Sequence, residues 1–243
     1  MKYVIANWKM NIPEVSIENY IAALEAVWQM AEIIIAPPVI SLAEISLKSS
    51  NIKSAAQDIS HQPHVSGPYT GEISAFMLKK YIKYAIIGHS ERRIFNKESD
   101  EQIHQKILNS IAAGIKPIIC IGETIEYRTD NSWQSFLQNQ INMLNLDKVA
   151  EKNHESIDIL IAYEPIWSIG TGKVATFEQI IEATELIKNF ISKVALNIKI
   201  VYGGSVNMEN VSVLSSVEDL SGVLVGKSSL NPKHLVEIIK NYA

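Results

Sequence analysis

Cysteine is almost absent: Cys120 is the only one in 243 residues. A lone thiol excludes an intramolecular disulfide framework and suits a reducing compartment, while leaving a nucleophilic role open. Positive charge is not in excess, since 22 Lys and Arg face 26 Asp and Glu for a formal net charge of -4. Binding to a nucleic-acid backbone needs clustered Lys and Arg, so nucleic acid is not an expected partner and any anionic ligand must be held locally. Apolar runs are broken by Glu, Lys or Pro well short of the ~20 residues that span a membrane. The first of them, Tyr3 to Ala6, is also too short for the core of a signal peptide. No Gly-x-Gly-x-x-Gly follows that run; Asn7-Trp8-Lys9-Met10-Asn11 stands there instead, which argues against a doubly wound dinucleotide fold. Linkers, low-complexity tracts and long charge runs are missing too. These absences lead to an expectation of one soluble, cytoplasmic domain over residues 1–243, with no membrane partner.

Apolar residues are plentiful, at 47%, enough for a large core. Short β-branched runs recur, each leading into polar or glycine-rich residues and then into a segment of helical period. They are Tyr3 to Ala6, Ile33 to Ala36, Ile52 to Ala56, Tyr84 to Ile87, Ile118 to Ile121, Ile157 to Tyr163, Ile198 to Tyr202 and Val223 to Val225. Most are continuously apolar, as strands buried on both faces of a parallel sheet must be. Between them, Ile17, Ile21, Leu24 and Trp28 share one helical face, as do Ile180, Thr184, Ile187 and Ile191. Ser99 with Gln102 and Thr176 with Gln179 read as capping boxes, and Gly114 closes the helix that Ser99 opens. Eight strand-helix units, spaced roughly thirty residues apart, favour a closed (β/α)8 barrel over an open sheet.

In such a barrel the active site lies at the C-terminal ends of the strands. Asn7, Lys9, His89, Ser90, Glu91, Glu164, Gly203, Gly204, Ser205 and Gly226 all follow strand runs directly and so face one mouth. One lysine, one histidine and two glutamates thus converge on a single pocket, and the reaction class is to be read from that inventory. The segment after Glu164, Pro165-Ile166-Trp167-Ser168-Ile169-Gly170-Thr171-Gly172-Lys173, is bounded by proline and glycines and reads as a lid over a base. Cys120, at a strand end with no acid-base neighbour, reads as a small buried hydrophobe. His61 and His64 lack companions for a metal site, and no metal or cofactor is expected.

Four motifs in order carry a resemblance along the whole chain: Asn7-Trp8-Lys9-Met10-Asn11, Gly88-His89-Ser90-Glu91-Arg92-Arg93, Ala162-Tyr163-Glu164-Pro165 with Ile169-Gly170-Thr171-Gly172-Lys173, and Tyr202-Gly203-Gly204-Ser205-Val206. With Ala36-Pro37-Pro38 and Gly67-Pro68-Tyr69-Thr70-Gly71-Glu72 between them, they resemble the triosephosphate isomerase family. The resemblance implies a barrel enzyme of glycolysis and gluconeogenesis that interconverts dihydroxyacetone phosphate and D-glyceraldehyde 3-phosphate through an enediolate. It implies Glu164 as the base, His89 as the neutral electrophile described for this family, and Lys9 as the cation that stabilises phosphate and oxyanion and steers substrate. Asn7 positions Lys9 and His89. Glu91 either orients the pocket through Lys9 or caps the short helix with Ser90. Gly170, Ser205, Gly226 and Lys227 match the family's phosphate contacts, Tyr202 and Ser205 the residues that hold the lid shut. Thr70 matches a loop that reaches the neighbouring subunit, implying a homodimer.

Several positions depart from the family. Gly226-Lys227 stands where Gly-Gly is usual, and the lysine is strained if its φ is positive. The expectation is a Lys227 that still donates its backbone N–H to phosphate, with its side chain turned to solvent. Ile12 replaces a usual glycine, Ser221 stands where aspartate is common, and Ser168 where the family often has alanine. Two other functions stay open on sequence alone. One is a Schiff-base aldolase of similar fold using Lys9, which borohydride trapping separates; the other is a catalytically inactive barrel that only binds, which a coupled isomerase assay separates.

Overall fold

The computed structural model describes residues 1–152, 157–169 and 174–243. Eight strands form a closed parallel barrel in sequence order: β1 (Tyr3–Asn7), β2 (Glu32–Ala36), β3 (Lys53–Ala56), β4 (Tyr84–Ile87), β5 (Lys116–Ile121), β6 (Asp158–Tyr163), β7 (Asn197–Tyr202) and β8 (Leu220–Val225). β1 closes the ring by pairing with β8, Val4 opposite Val223 and Ala6 opposite Val225. A register irregularity falls between Ile200 and Val201, where β7 meets β8.

Alternation explains why the strand runs are apolar throughout. Tyr3, Ile5, Ile34, Ala36, Ile86, Ile118, Cys120, Leu160 and Leu224 belong to the packed barrel interior. Their neighbours Val4, Ala6, Ile33, Ile35, Ile87, Ile119 and Ile161 pack outward against the helices. Both faces are buried along the middle of the strands, so apolar residues dominate both and most polar residues fall toward the strand ends. Helices Asp100–Ala112 and Phe177–Ile191 begin with capping boxes on Ser99 and Thr176, each with both reciprocal hydrogen bonds. Gly114 takes φ +74 just past the former helix, a left-handed conformation that glycine adopts without strain. Ile180, Thr184, Ile187 and Ile191 are all buried.

Trp28 corrects the reading of the first helix. The helix runs Ile17–Glu25, Trp28 lies in the turns beyond it and is 40% exposed, and Val27 fills the core in its place. Helical spacing holds only while the chain is helical, and neither glycine nor proline marks this end. Among the described residues, no helix is long and apolar enough to cross a membrane.

A buried ionic cluster fixes the segment that follows β4. Lys106, 2% exposed on helix Asp100–Ala112, places its ammonium 2.6 Å from both Asp58 and Glu98. Arg92 reaches the same two carboxylates, at 2.8 Å and 2.5 Å. The end of β3 is thereby tied to the helix Ser90–Phe95, which carries part of the strand-end cluster. Burial alone raises Glu98, but Lys106 and Arg92 together outweigh it and hold the carboxyl below its usual value; Asp58 is raised, mainly by burial. Glu98 therefore supports the fold above its unfolded pKa of about 4.3, and this support is lost as pH falls through the lower folded value. Lys106→Met leaves Asp58 and Glu98 with only the partly exposed Arg92 as cation and is expected to cost about 3 kcal/mol in urea unfolding at neutral pH; a loss under about 1 kcal/mol contradicts this account of the cluster.

Candidate active site

Strand ends bring the expected residues to one cavity of about 580 Å³. Asn7, Lys9, His89, Gly203, Ser205, Gly226 and Lys227 line it, together with Ile169 and Leu224. Glu164, directly after β6 and 1% exposed, stands against it. The Ser90 backbone N–H donates to Glu164 Oε2 at 3.2 Å, while His89 Nε2 lies 3.3 Å from Oε1 in a geometry that makes no hydrogen bond. His89 itself caps helix Ser90–Phe95, its Nδ1 accepting from the Glu91 N–H at 3.2 Å. A ring nitrogen that accepts carries no proton, so the proton of the neutral imidazole sits on Nε2, facing the carboxylate side of the cavity.

Lys9 is held on three sides. Its backbone takes φ +53, an unusual value for a residue with a Cβ. The N–H donates to Asn7 Oδ1 at 3.0 Å and the carbonyl accepts from Gln57 Nε2 at 2.8 Å. At its far end Nζ lies 2.5 Å from Glu91 Oε1. Glu91 pairs with Lys9, and the ring that caps the helix is that of His89. Lys9 thus lines the cavity with its ammonium paired to Glu91 and not to Glu164.

Glycines let the base approach. A Cβ on Gly203 would lie 2.9 Å from Glu164 Cγ, and one on Gly122 only 1.7 Å from the Glu164 carbonyl oxygen. The backbone of Lys227, whose φ is not positive, opens the short helix Lys227–Leu230, so the strain foreseen for this departure does not arise. Its side chain is exposed. Ile12 takes no positive φ either and is exposed.

Comparison with known proteins settles the family. A family model described as triosephosphate isomerase matches residues 2–242. Proteins named triosephosphate isomerase are similar over nearly their whole length: one from Finegoldia magna is 39% identical, covering 98% of this chain and 97% of its own. One from Orientia tsutsugamushi is 38% identical, covering 98% and 96%, and one from Thermoanaerobacter pseudethanolicus 36%, covering 98% of each. The chain belongs to the triosephosphate isomerase family.

Within this member of the triosephosphate isomerase family, the segment from Pro165 to Lys173, expected from the sequence to be a lid, is described only in part. Pro165 leads into a short helical turn, Ile166–Ser168, and Ser168 is fully buried, its hydroxyl donating to the Pro165 carbonyl at 2.9 Å. Gly170, Thr171, Gly172 and Lys173 lie outside the described residues. Sequence reasoning missed the anchor of this segment. Glu123, fully buried after β5, accepts from Trp167 Nε1 at 3.1 Å, from the Tyr163 hydroxyl at 3.1 Å and from Arg128 Nε at 2.6 Å. Gln57, which reaches both the Lys9 and Ala36 carbonyls, was missed as well. Both stand directly after strand runs, the same signal that singled out Lys9 and Glu164, but neither is matched to a role by a motif. Burial pushes the pKa of the Tyr202 hydroxyl up to about 12, and Ser168 beside it lowers it slightly. A Cβ on Gly204 would lie 2.2 Å from the Tyr202 hydroxyl and 2.9 Å from Ser168 Oγ, so β7's end and the lid base meet there.

Cys120 packs in the barrel interior against Glu164, and burial, reinforced by that carboxylate, raises its thiol well above the ordinary range. A raised folded pKa keeps the thiol protonated where an unfolded cysteine, near 8.5, begins to ionise. Native protein at pH ~8 is expected to resist iodoacetamide at Cys120 and to react once unfolded in urea. Rapid native alkylation, read by mass spectrometry, contradicts the buried placement.

Proposed function

We propose that the protein interconverts dihydroxyacetone phosphate and D-glyceraldehyde 3-phosphate by moving one proton between C1 and C2 through an enediolate, working as one barrel domain over residues 1–243 without a cofactor. The observation that carries this reading is a buried carboxylate, Glu164, sharing a cavity with a neutral imidazole N–H and an ammonium that is tied to a different acid. Glu164 takes the proton from the carbon beside the carbonyl, and His89 Nε2–H with the Lys9 ammonium stabilises the oxygen that becomes negative. The carboxylic acid so formed returns the proton to the neighbouring carbon, while the hydroxyl proton passes from the C1 oxygen to the C2 oxygen beside His89 Nε2, so that the carbonyl moves from C2 to C1. Asn7 and Glu91 fix Lys9, while Ser90 holds the carboxylate. The Ser205, Gly226 and Lys227 backbone is the phosphate cradle, with Gly170 contributing from the lid. The segment Pro165 to Lys173 closes over the site and excludes water, with Ser168, Ile166, Ile169 and Trp167 at its base and Thr171 and Gly172 in its tip.

Lys9 paired to Glu91 favours isomerisation over Schiff-base chemistry, which needs a neutral amine. With glyceraldehyde 3-phosphate and a coupled reductase, Glu164→Gln is expected to lower kcat by about 10²–10⁴ with little change in KM. Wild-type turnover in that variant removes Glu164 from the reaction.

The working form we propose is a cytoplasmic homodimer, to which the lone buried Cys120 is suited. The loop around Thr70 is exposed, and beside it runs a groove lined by Met10, Val39, Asp58, Gly71 and Arg92. Met10 is 96% exposed and Phe95 76%, an apolar surface that a second copy's loop would cover. Sedimentation equilibrium is expected to give twice the chain mass of 27.1 kDa, and Met10→Asp to shift it toward the single-chain value. A wild-type chain that sediments as a monomer overturns the dimer.

A further inference from the structure

Two lysines, and no arginine, line the active-site cavity among the described residues: Lys9 and Lys227. They are not equivalent. Lys9 is offset at 2.5 Å by Glu91, so the pair brings no net charge to the mouth. The carboxylate of Glu164, packed behind the lining residues His89 and Gly203, adds a negative charge close to the cavity, which opposes entry of a phosphate dianion. Lys227 is exposed and forms no ion pair among the described residues, so its charge is uncancelled by any neighbour. Its backbone is firmly placed: the Ser229 N–H and hydroxyl both donate to the Gly226 carbonyl, at 2.9 Å and 2.7 Å, and the Tyr20 hydroxyl donates to the Ser229 carbonyl.

We propose that the Lys227 side chain is a specificity-determining cation: it draws the phosphate dianion to the cavity and selects phosphorylated over neutral trioses. The inference rests on the isomerase reading and adds to it a role for the side chain distinct from that of the backbone N–H. A cavity of about 580 Å³ is only ~10 Å across, about one Debye length at 0.1 M ionic strength. A ligand anywhere inside it therefore feels an ammonium at the rim. Because that ammonium stays in water, its effect falls on capture and not on the chemical step, and salt screens it.

The test is kcat/KM for glyceraldehyde 3-phosphate, measured from ~10 mM to ~0.5 M ionic strength in wild type, K227M and K227R. K227M is expected to lose about fivefold at the lowest salt, with the gap closing as salt rises, and K227R to restore the wild-type value. The preference for glyceraldehyde 3-phosphate over unphosphorylated glyceraldehyde should fall by the same factor in K227M. A salt dependence shared by wild type and K227M, or a loss that K227R does not restore, overturns the proposal while leaving an active isomerase. A wild-type protein that fails to isomerise the triose phosphate overturns the isomerase reading instead.

Discussion

Everything at the mouth of this barrel depends on keeping a buried carboxylate and a nearby ammonium apart. Glu164 is 1% exposed and stands behind His89 and Gly203 in the wall of the cavity that Lys9 lines, a situation in which low dielectric draws opposite charges together. A direct pair would neutralise the base and occupy the cation. Glu91 prevents this by taking Lys9 at 2.5 Å, and the Ser90 N–H holds the other carboxylate at 3.2 Å. Both restraints come from consecutive residues at the start of one short helix, with His89 as its cap. The left-handed backbone of Lys9 belongs to the same arrangement, since Asn7 and Gln57 secure the N–H and carbonyl on either side of it.

Rigidity behind these residues comes from the barrel and from the cluster around Lys106. The strand interior is filled by side chains, with Cys120 among them close enough to Glu164 to feel its charge. Arg92 lies three residues after the cap and belongs to the ionic cluster of Lys106, Asp58 and Glu98, which fixes the helix from outside. Glu123 does for the lid base what Glu91 does for Lys9, gathering Trp167, Tyr163 and Arg128 on one buried oxygen.

Much of this was legible in the sequence because a parallel barrel puts every functional group immediately after an apolar run. All eight runs are strands, and the two capping boxes and Gly114 behave as their residue types require. What escaped depends on closure in space. Gln57 and Glu123 also follow strand runs, yet their partners, Lys9 and Trp167, come from strand ends elsewhere in the ring. The left-handed φ of Lys9 has no local signal, since lysine is not a residue that favours it. Trp28 misled because three correctly spaced apolar residues precede it and the helix ends before reaching it.

The central claim is that Glu164 carries a proton between adjacent carbons through an enediolate, exchanging it with water while it is held as the carboxylic acid. The most direct measurement is nuclear magnetic resonance of the product formed from dihydroxyacetone phosphate in deuterium oxide. The account predicts glyceraldehyde 3-phosphate with deuterium at C2, formed by the wild type and all but lost in Glu164→Gln. Product carrying only the original hydrogen at C2, or labelled product formed equally well without the carboxylate, contradicts it.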